Sequence, residues 1–459
     1  MEHFDVIVVG VGISGISAAV HLSRSCPQKK IAMLERRENI GGTWDLFKYP
    51  GVRSDSDMHT LGFSFKPWNA QKSIADGPSI MQYLNETVDE YGLKEKIRFS
   101  HRVVAANWSS ADAQWLLAVD AGGLQKQMSC NFLFMCSGYY SYDEAYDAQI
   151  PGVDSFTGHL VHPQFWPERL DYRGKRVVVI GSGATAVTIV PSMAEGGAQV
   201  TMLQRSPTYM VSMPDRDAIA NFLRKVLPDS WAYALTRFKN VRLQDFFYKR
   251  ARKAPEKVRA QLLRLVKRML PEGYDVAKHF TPRYNPWDQR LCLVPNSDLF
   301  KAIKNGSVEV VTDEIDTVTS DGLRLKSGTK LPADILVTAT GLKLTVLADV
   351  PFTVDGQPID FSDAYTYRGM MYSGVPNLVS TFGYINASWT LRADLTSEWV
   401  GRLLQHMDAA GADRVVPQLR AEDSGMQSLP WSGDVPAGYM QRVMHRFTKQ
   451  GAGPWRNTP

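Results

Sequence analysis

Two short glycine runs carry the phosphate chemistry of this chain: Gly10, Gly12 and Gly15 in GVGISG, and Gly181 and Gly183 in GSGATA, where Ala186 takes the third place. Glycines at this spacing let backbone N–H groups approach a pyrophosphate, and the helix that follows offers its free N–H groups and positive dipole end. An acid closing the next strand accepts hydrogen bonds from ribose hydroxyls, and Glu35 stands 20 residues after Gly15. After the second loop, which includes Thr185, the matching strand closes instead on Arg205-Ser206-Pro207. A carboxylate there would repel a 2′-phosphate, whereas a guanidinium grips one with two hydrogen bonds. The second loop therefore reads as an NADPH site in preference to NADH.

The first loop reads as a flavin site. GGTW, Gly41 to Trp44, follows the second strand and looks like an extended flavoprotein signature, with Gly42 and Trp44 beside the cofactor. A disulfide reductase built on two dinucleotide sites would place a redox cysteine pair after its GGT. Here Trp44 follows, and the next cysteine is Cys130. Without a dithiol relay, the chemistry falls to the flavin and oxygen.

The elements that must position these groups are legible around them. DVIVVG (5–10) and KRVVVI (175–180) are short β-branched runs of the kind buried in parallel sheets, and each opens through its glycines into a helix. The fold class expected is α/β, with two Rossmann-like dinucleotide-binding domains and a helical insertion in the second. The boundaries expected are 1–145 and 342–459 for the FAD unit and 146–341 for the NADPH unit, with the insertion at about 209–285.

The 459 residues are too many for one small core, and 44% hydrophobic and 22% charged residues are ordinary for a globular chain. Cys26, Cys130, Cys136 and Cys292 show no CxxC spacing and read as reduced thiols of a cytoplasmic protein. No signal peptide is expected, because the apolar run Val6–Val9 leads directly into the first glycine loop. No apolar run approaches the ~20 residues of a spanning helix.

Between residues 216 and 270 there are 15 Lys/Arg against four acids, +11 in a chain whose total is +5. Val258, Leu262, Leu265, Val266 and Met269 recur there at helical spacing. Such a segment fits a cap over a substrate cavity, and its charge also fits weak peripheral contact with an anionic membrane. No nucleic-acid module accompanies it.

Just upstream of the second glycine loop, Phe156, Gly158, His162, Trp166 and Pro167 spell FxGxxxHxxxWP. This resembles the fingerprint of type I Baeyer–Villiger monooxygenases, within the class B flavoprotein monooxygenases; the sister flavin-containing monooxygenases end it in Tyr or Phe. The resemblance covers nearly the whole chain, the insertion only in character. It implies FAD, NADPH and O2 as reactants, with a C4a-peroxyflavin turning ketones into esters or lactones and sulfides into sulfoxides. A YPG-x-R-x-D run implies Asp55 as an active-site carboxylate that holds an arginine. By register in PRYNPWDQRLCLVPNSDLF (282–300) that arginine is Arg290, with Gln289 where the family usually has lysine. The PWDQRLC-VP wording is similar to the ethionamide-activating subgroup. His162 and Trp166 are implied at the linker between domains, where they organise cofactor movement. ATG at 339–341 marks the return to the FAD domain, and Asn386, Ser388 and Thr390 are candidate caps of a helix facing the flavin, Asn386 among the cofactor contacts. Two rivals stay open: an amine- or sulfide-oxidising monooxygenase, and a flavin-bearing redox sensor without turnover.

Overall fold

The computed structural model describes residues 1–289, 291–384, 386–431 and 438–457. Arg290 therefore lies outside the described residues.

The first apolar run forms β1 (Glu2–Val9), which passes through the glycine loop into α1 (Ile13–Ser25) and returns as β2 (Ile31–Leu34). The side chains of β1 beyond Asp5 and all of β2 are buried, as a strand covered on both faces requires. β3 (Ile97–Arg98), β4 (His101–Ser109), β5 (Gln114–Ala121) and β6 (Leu124–Met135) complete this region of the sheet. The order β4-β5-β6-β1-β2-β3 joins an antiparallel meander to a parallel Rossmann core. Late in the chain, Phe352–Val354 pairs with β4 and Leu378–Ser380 with the end of β6.

The second sheet is wholly parallel. Its strands are β7 (His159–Val161), β8 (Arg176–Ile180), β9 (Gln199–Gln204), β10 (Val308–Thr312) and β11 (Ile335–Thr338), in the order β10-β9-β8-β11-β7. The short helix α2 (Met58–Leu61) lies in the loop that follows the first glycine site, and α3 (Ala184–Glu195) follows the second. The chain is thus α/β with two Rossmann-type units, each with its own buried core.

The basic segment is helical: α4 (Ala218–Val226), α5 (Asp229–Lys253) and α6 (Pro255–Met269). Of the α6 stripe, Val266 is buried and Met269 packs against the second core, whereas Leu265 is exposed. α7 (Trp389–Ala410) is the long helix of the C-terminal part. No helix among the described residues is long and apolar enough to cross a membrane.

α1 and α7 run side by side in the same direction. Ser14 meets Trp389, Ser17 meets Asp394, the Ser25 carbonyl meets Gln405 and Lys29 meets Asp408. The near-constant offset sets the two N-termini at the same end, and Gly401 lets the helices touch: a Cβ there would overlap the Ser25 hydroxyl.

Candidate active site

A cleft of about 560 Å³ lies over those two helix N-termini. Gly10, Gly12, Glu35, Gly42, Trp44, Asp55, Thr185 and Asn386 all line it, so eight of the residues singled out in the sequence converge on one space. Gly15, Gly181, Gly183, Arg205, Ser206, His162 and Trp166 do not line it.

The first loop is shaped by close backbone approach. Gly10 has φ +99°, and a Cβ on it would lie 2.6 Å from the Cys136 carbonyl at the end of β6. A Cβ on Gly15 would overlap the Gly10 carbonyl oxygen, so helix and strand meet only through glycine. Glu35 is buried; its carboxylate accepts the Val11 N–H at 2.9 Å and the Arg37 N–H at 3.0 Å. Burial pushes its carboxyl up, against the pull of those two N–H groups and of the Arg37 and Arg36 charges. Each oxygen keeps a further lone pair for a ribose hydroxyl. Cys136 is also buried here, and burial pushes its thiol up to about 12, which leaves it an inert thiol.

Four aromatic residues complete this cradle, none of them singled out in the sequence for the site. Trp389 donates its indole N–H to Ser14 Oγ at 2.7 Å and stacks on Tyr139 with ring centroids 5.3 Å apart. A Cβ on Gly42 would lie 3.2 Å from the Tyr142 hydroxyl, and burial pushes that phenol up to about 12. Tyr49 is likewise raised to about 12 by burial, with a hydrogen bond to Thr185 opposing. That bond crosses from the first unit to the second. Beside it, Gly51 (φ +75°) presses against α3 so closely that a Cβ would overlap Ser192 Oγ. The loop that carries Asp55 is thereby wedged against the helix of the second glycine site.

Of the caps expected for α7, Ser388 holds the N-cap position but caps nothing with its side chain. Its hydroxyl is 2.6 Å from Thr60 Oγ1, and Thr390, one residue inside the helix, donates to the Thr60 and Leu61 carbonyls. Packing against α2 has claimed both hydroxyls. The α7 N-terminus therefore meets the cleft without a side-chain cap, a ready place for electron-rich oxygen.

Trp287, Leu291 and Leu293 also line the cleft. Their segment is held to the insertion by the Arg252–Asp288 ion pair at 2.7 Å and by Tyr248 packed edge-on to Trp287. The insertion contributes Gln244, which reaches the Asn386 carbonyl.

The second loop has a different character. A Cβ on Gly181 (φ +143°) would overlap the Ala339 carbonyl oxygen, repeating the contact of Gly10 with Cys136, but Gly183 faces open space. Ser182 Oγ donates to the Ser206 carbonyl at 3.0 Å, tying the loop to the exposed Arg205-Ser206 pair. His162 Nδ1 accepts the Gln164 N–H and Nε2 is 3.2 Å from the Gly341 carbonyl, which defines an Nε2–H imidazole joining the fingerprint to the ATG crossing. Burial lowers its pKa, so it stays neutral. Trp166 packs against the second core.

Two glycine loops, each opening a helix of its own Rossmann-type unit, and a cleft lined by residues of both define an α/β protein of the two-dinucleotide class. The flavin-binding monooxygenase-like family model matches residues 3–346. The chain is 54% identical over 457 residues to the FAD-containing monooxygenase EthA of Mycobacterium tuberculosis, covering 99% of this chain and 93% of that protein. It is 49% identical to the probable FAD-binding monooxygenase AlmA of Acinetobacter baylyi, covering 100% and 92%. Among solved structures, a steroid monooxygenase bound to NADP aligns with TM-score 0.77 at 25% identity, over 92% of this chain and 88% of that one. Cyclohexanone monooxygenase aligns with TM-score 0.77 at 21% identity, over 92% and 91%. The chain belongs to the flavin-binding monooxygenase-like family and is a monooxygenase of that type.

Proposed function

We propose that this enzyme is a Baeyer–Villiger monooxygenase that converts a ketone, O2, NADPH and a proton into an ester or lactone, NADP+ and water, and that the same site oxidises sulfides. In this reading residues 1–145 and 342–459 hold FAD and 146–341 hold NADPH. When bound, NADPH supplies a hydride and FAD carries it to oxygen. Gly10, Gly12 and the α1 N-terminus would bind the FAD pyrophosphate, Glu35 the ribose, and Gly42, Trp44 and the uncapped α7 N-terminus near Asn386 the rest of the molecule. The close glycine approaches and the free lone pairs of Glu35 fit such a ligand. Gly181, Gly183 and Thr185 would bind NADPH, with Arg205 and Ser206 on its 2′-phosphate. His162 and Trp166 would hold the crossing between the units while the nicotinamide comes and goes.

The observation that carries the reading is the position of Asp55. It lines the same cleft as the first cradle, Thr185, Trp287 and Leu291. Arg290, assigned from sequence, would stabilise the negative charge that develops on oxygen as it adds to the substrate carbonyl, and Asp55 would orient that guanidinium. Losing such a preorganised donor costs about 10²–10³ in rate. The rival amine- or sulfide-oxidising reading predicts no ketone product. The test is oxygen-dependent NADPH consumption with mass spectrometry of products on a panel of ketones and sulfides. Ketone-stimulated turnover with ester formation supports the proposal; oxidation of sulfides alone, or no stimulation, overturns it. Arg290→Ala is expected to retain flavin reduction and lose ester formation.

A further inference from the structure

Helix α5 is docked on α2 by one face. Ala232, Tyr233 and Thr236 are buried, Tyr233 donates to the Phe63 carbonyl, and Arg237 donates to the His59 and Gly62 carbonyls at 3.0 and 2.8 Å. Asn240 adds a bond to Asp57. These contacts grip α2 at both ends, and Gln244, Tyr248 and Arg252 hold α5 to the cleft segments.

The exposed side of α5 is apolar all the same. Trp231, Leu235, Phe238 and Phe246 recur at helical spacing and are 47–67% exposed. On α4, which packs beside α5, Ile219, Phe222 and Val226 form a second stripe at 55–61% exposure. Among the described residues, ten of the nineteen large apolar side chains that are exposed fall within Met213–Phe247. Scattered exposed leucines are ordinary, but this density on two adjoining helices is not.

We propose that α4 and α5 form a monotopic docking surface for an anionic lipid bilayer. Charge decides the partner. The apolar stripes sit in the segment that carries +11, and Lys225, Arg242 and Arg250 are exposed on the same helices. Aromatic and aliphatic side chains enter the headgroup–acyl boundary while cations at their flanks meet anionic headgroups. A second copy of this chain would bring one strongly cationic surface against another, which that charge opposes. The proposal extends the functional reading without resting on it, because lipid docking is read independently of turnover.

The test is flotation of the purified holoenzyme with vesicles of phosphatidylcholine alone and of phosphatidylcholine mixed with phosphatidylglycerol, at low and high salt. Binding to the mixed vesicles is expected to exceed binding to neutral ones by about 10-fold at low salt and to weaken at high salt. Replacing Trp231, Phe238 and Phe246 together by serine should cut that binding about 10-fold or more, because their apolar area drives insertion. The thermal midpoint of the variant should stay close to that of wild type, since these side chains are mostly exposed. A variant that binds as wild type does, or equal binding to both vesicles, overturns the proposal. So does a concentration-dependent dimer, lost in the variant, with no flotation; that result would assign the face to self-association.

Discussion

The two glycine loops share a pattern and differ in finish. At the first, Gly10 and Gly15 are packed against backbone, Glu35 is buried with both oxygens engaged, and aromatic residues close the sides. At the second, only Gly181 is packed; Gly183 meets open space, and Arg205 and Ser206 stand in solvent. A cofactor that stays needs an enclosed, preformed cradle, because organisation built in by folding is not lost again on binding. One that arrives and leaves at each turnover is better served by an open loop and an exposed charge. Under the proposed assignment, the same motif would serve residence in the first unit and exchange in the second.

The contrast predicts unequal responses to the smallest substitution. Gly15→Ala drives a Cβ into the fixed Gly10 carbonyl, a clash that costs about 1–3 kcal/mol or more, and is expected to yield protein without bound flavin, read from the visible spectrum. Arg205→Ala should raise KM for NADPH roughly 10-fold, from the loss of a charged hydrogen bond, and leave KM for NADH unchanged. Equal losses for both cofactors would break the assignment of the open loop. Gly183→Ala should stay within about 0.5 kcal/mol of wild type in stability, with flavin content intact; a loss as large as that of Gly15→Ala would erase the comparison.

The smallest effect tests what holds the first cradle together. Asp394 on α7 is buried, which by itself raises its pKa, but His21, Ser17 and the Ser64 N–H outweigh burial and leave it lowered. A depressed carboxyl adds stability above its unfolded pKa and loses it as pH falls through the folded one. Asp394→Asn should therefore lower the thermal midpoint at neutral pH and converge with wild type in acid, below the usual carboxylate range. Parallel curves at all pH values would deny the carboxylate this role.

Much of this was legible because it is local. The glycine loops, Glu35 and Arg205 are fixed by spacing within one βαβ turn, and that is why sequence placed them at strand ends where the structure has them. Trp389 and Ser14 are 375 residues apart, so no window of sequence joins them. Ser388 and Thr390 read as caps because a hydroxyl before a helix caps it by default; the tertiary neighbour α2 claimed both instead. The α5 face escaped notice for another reason. With one apolar side buried and another exposed, the helix shows no single stripe, and the periodicity that revealed α6 cancels.

The pairing of α1 with α7 constrains the order in which the molecule can be made. α1 leaves the ribosome among the earliest elements, yet its partner lies beyond residue 388. Contacts so distant in sequence form slowly and late. The whole second sheet, by contrast, spans 159–338 without interruption from the first, and it can reach its native pairing while the chain is still growing. The first cradle is then the earliest part translated and the last part finished; under the proposed assignment, a chain cut before residue 389 would carry every glycine of the first loop and is expected to retain no flavin.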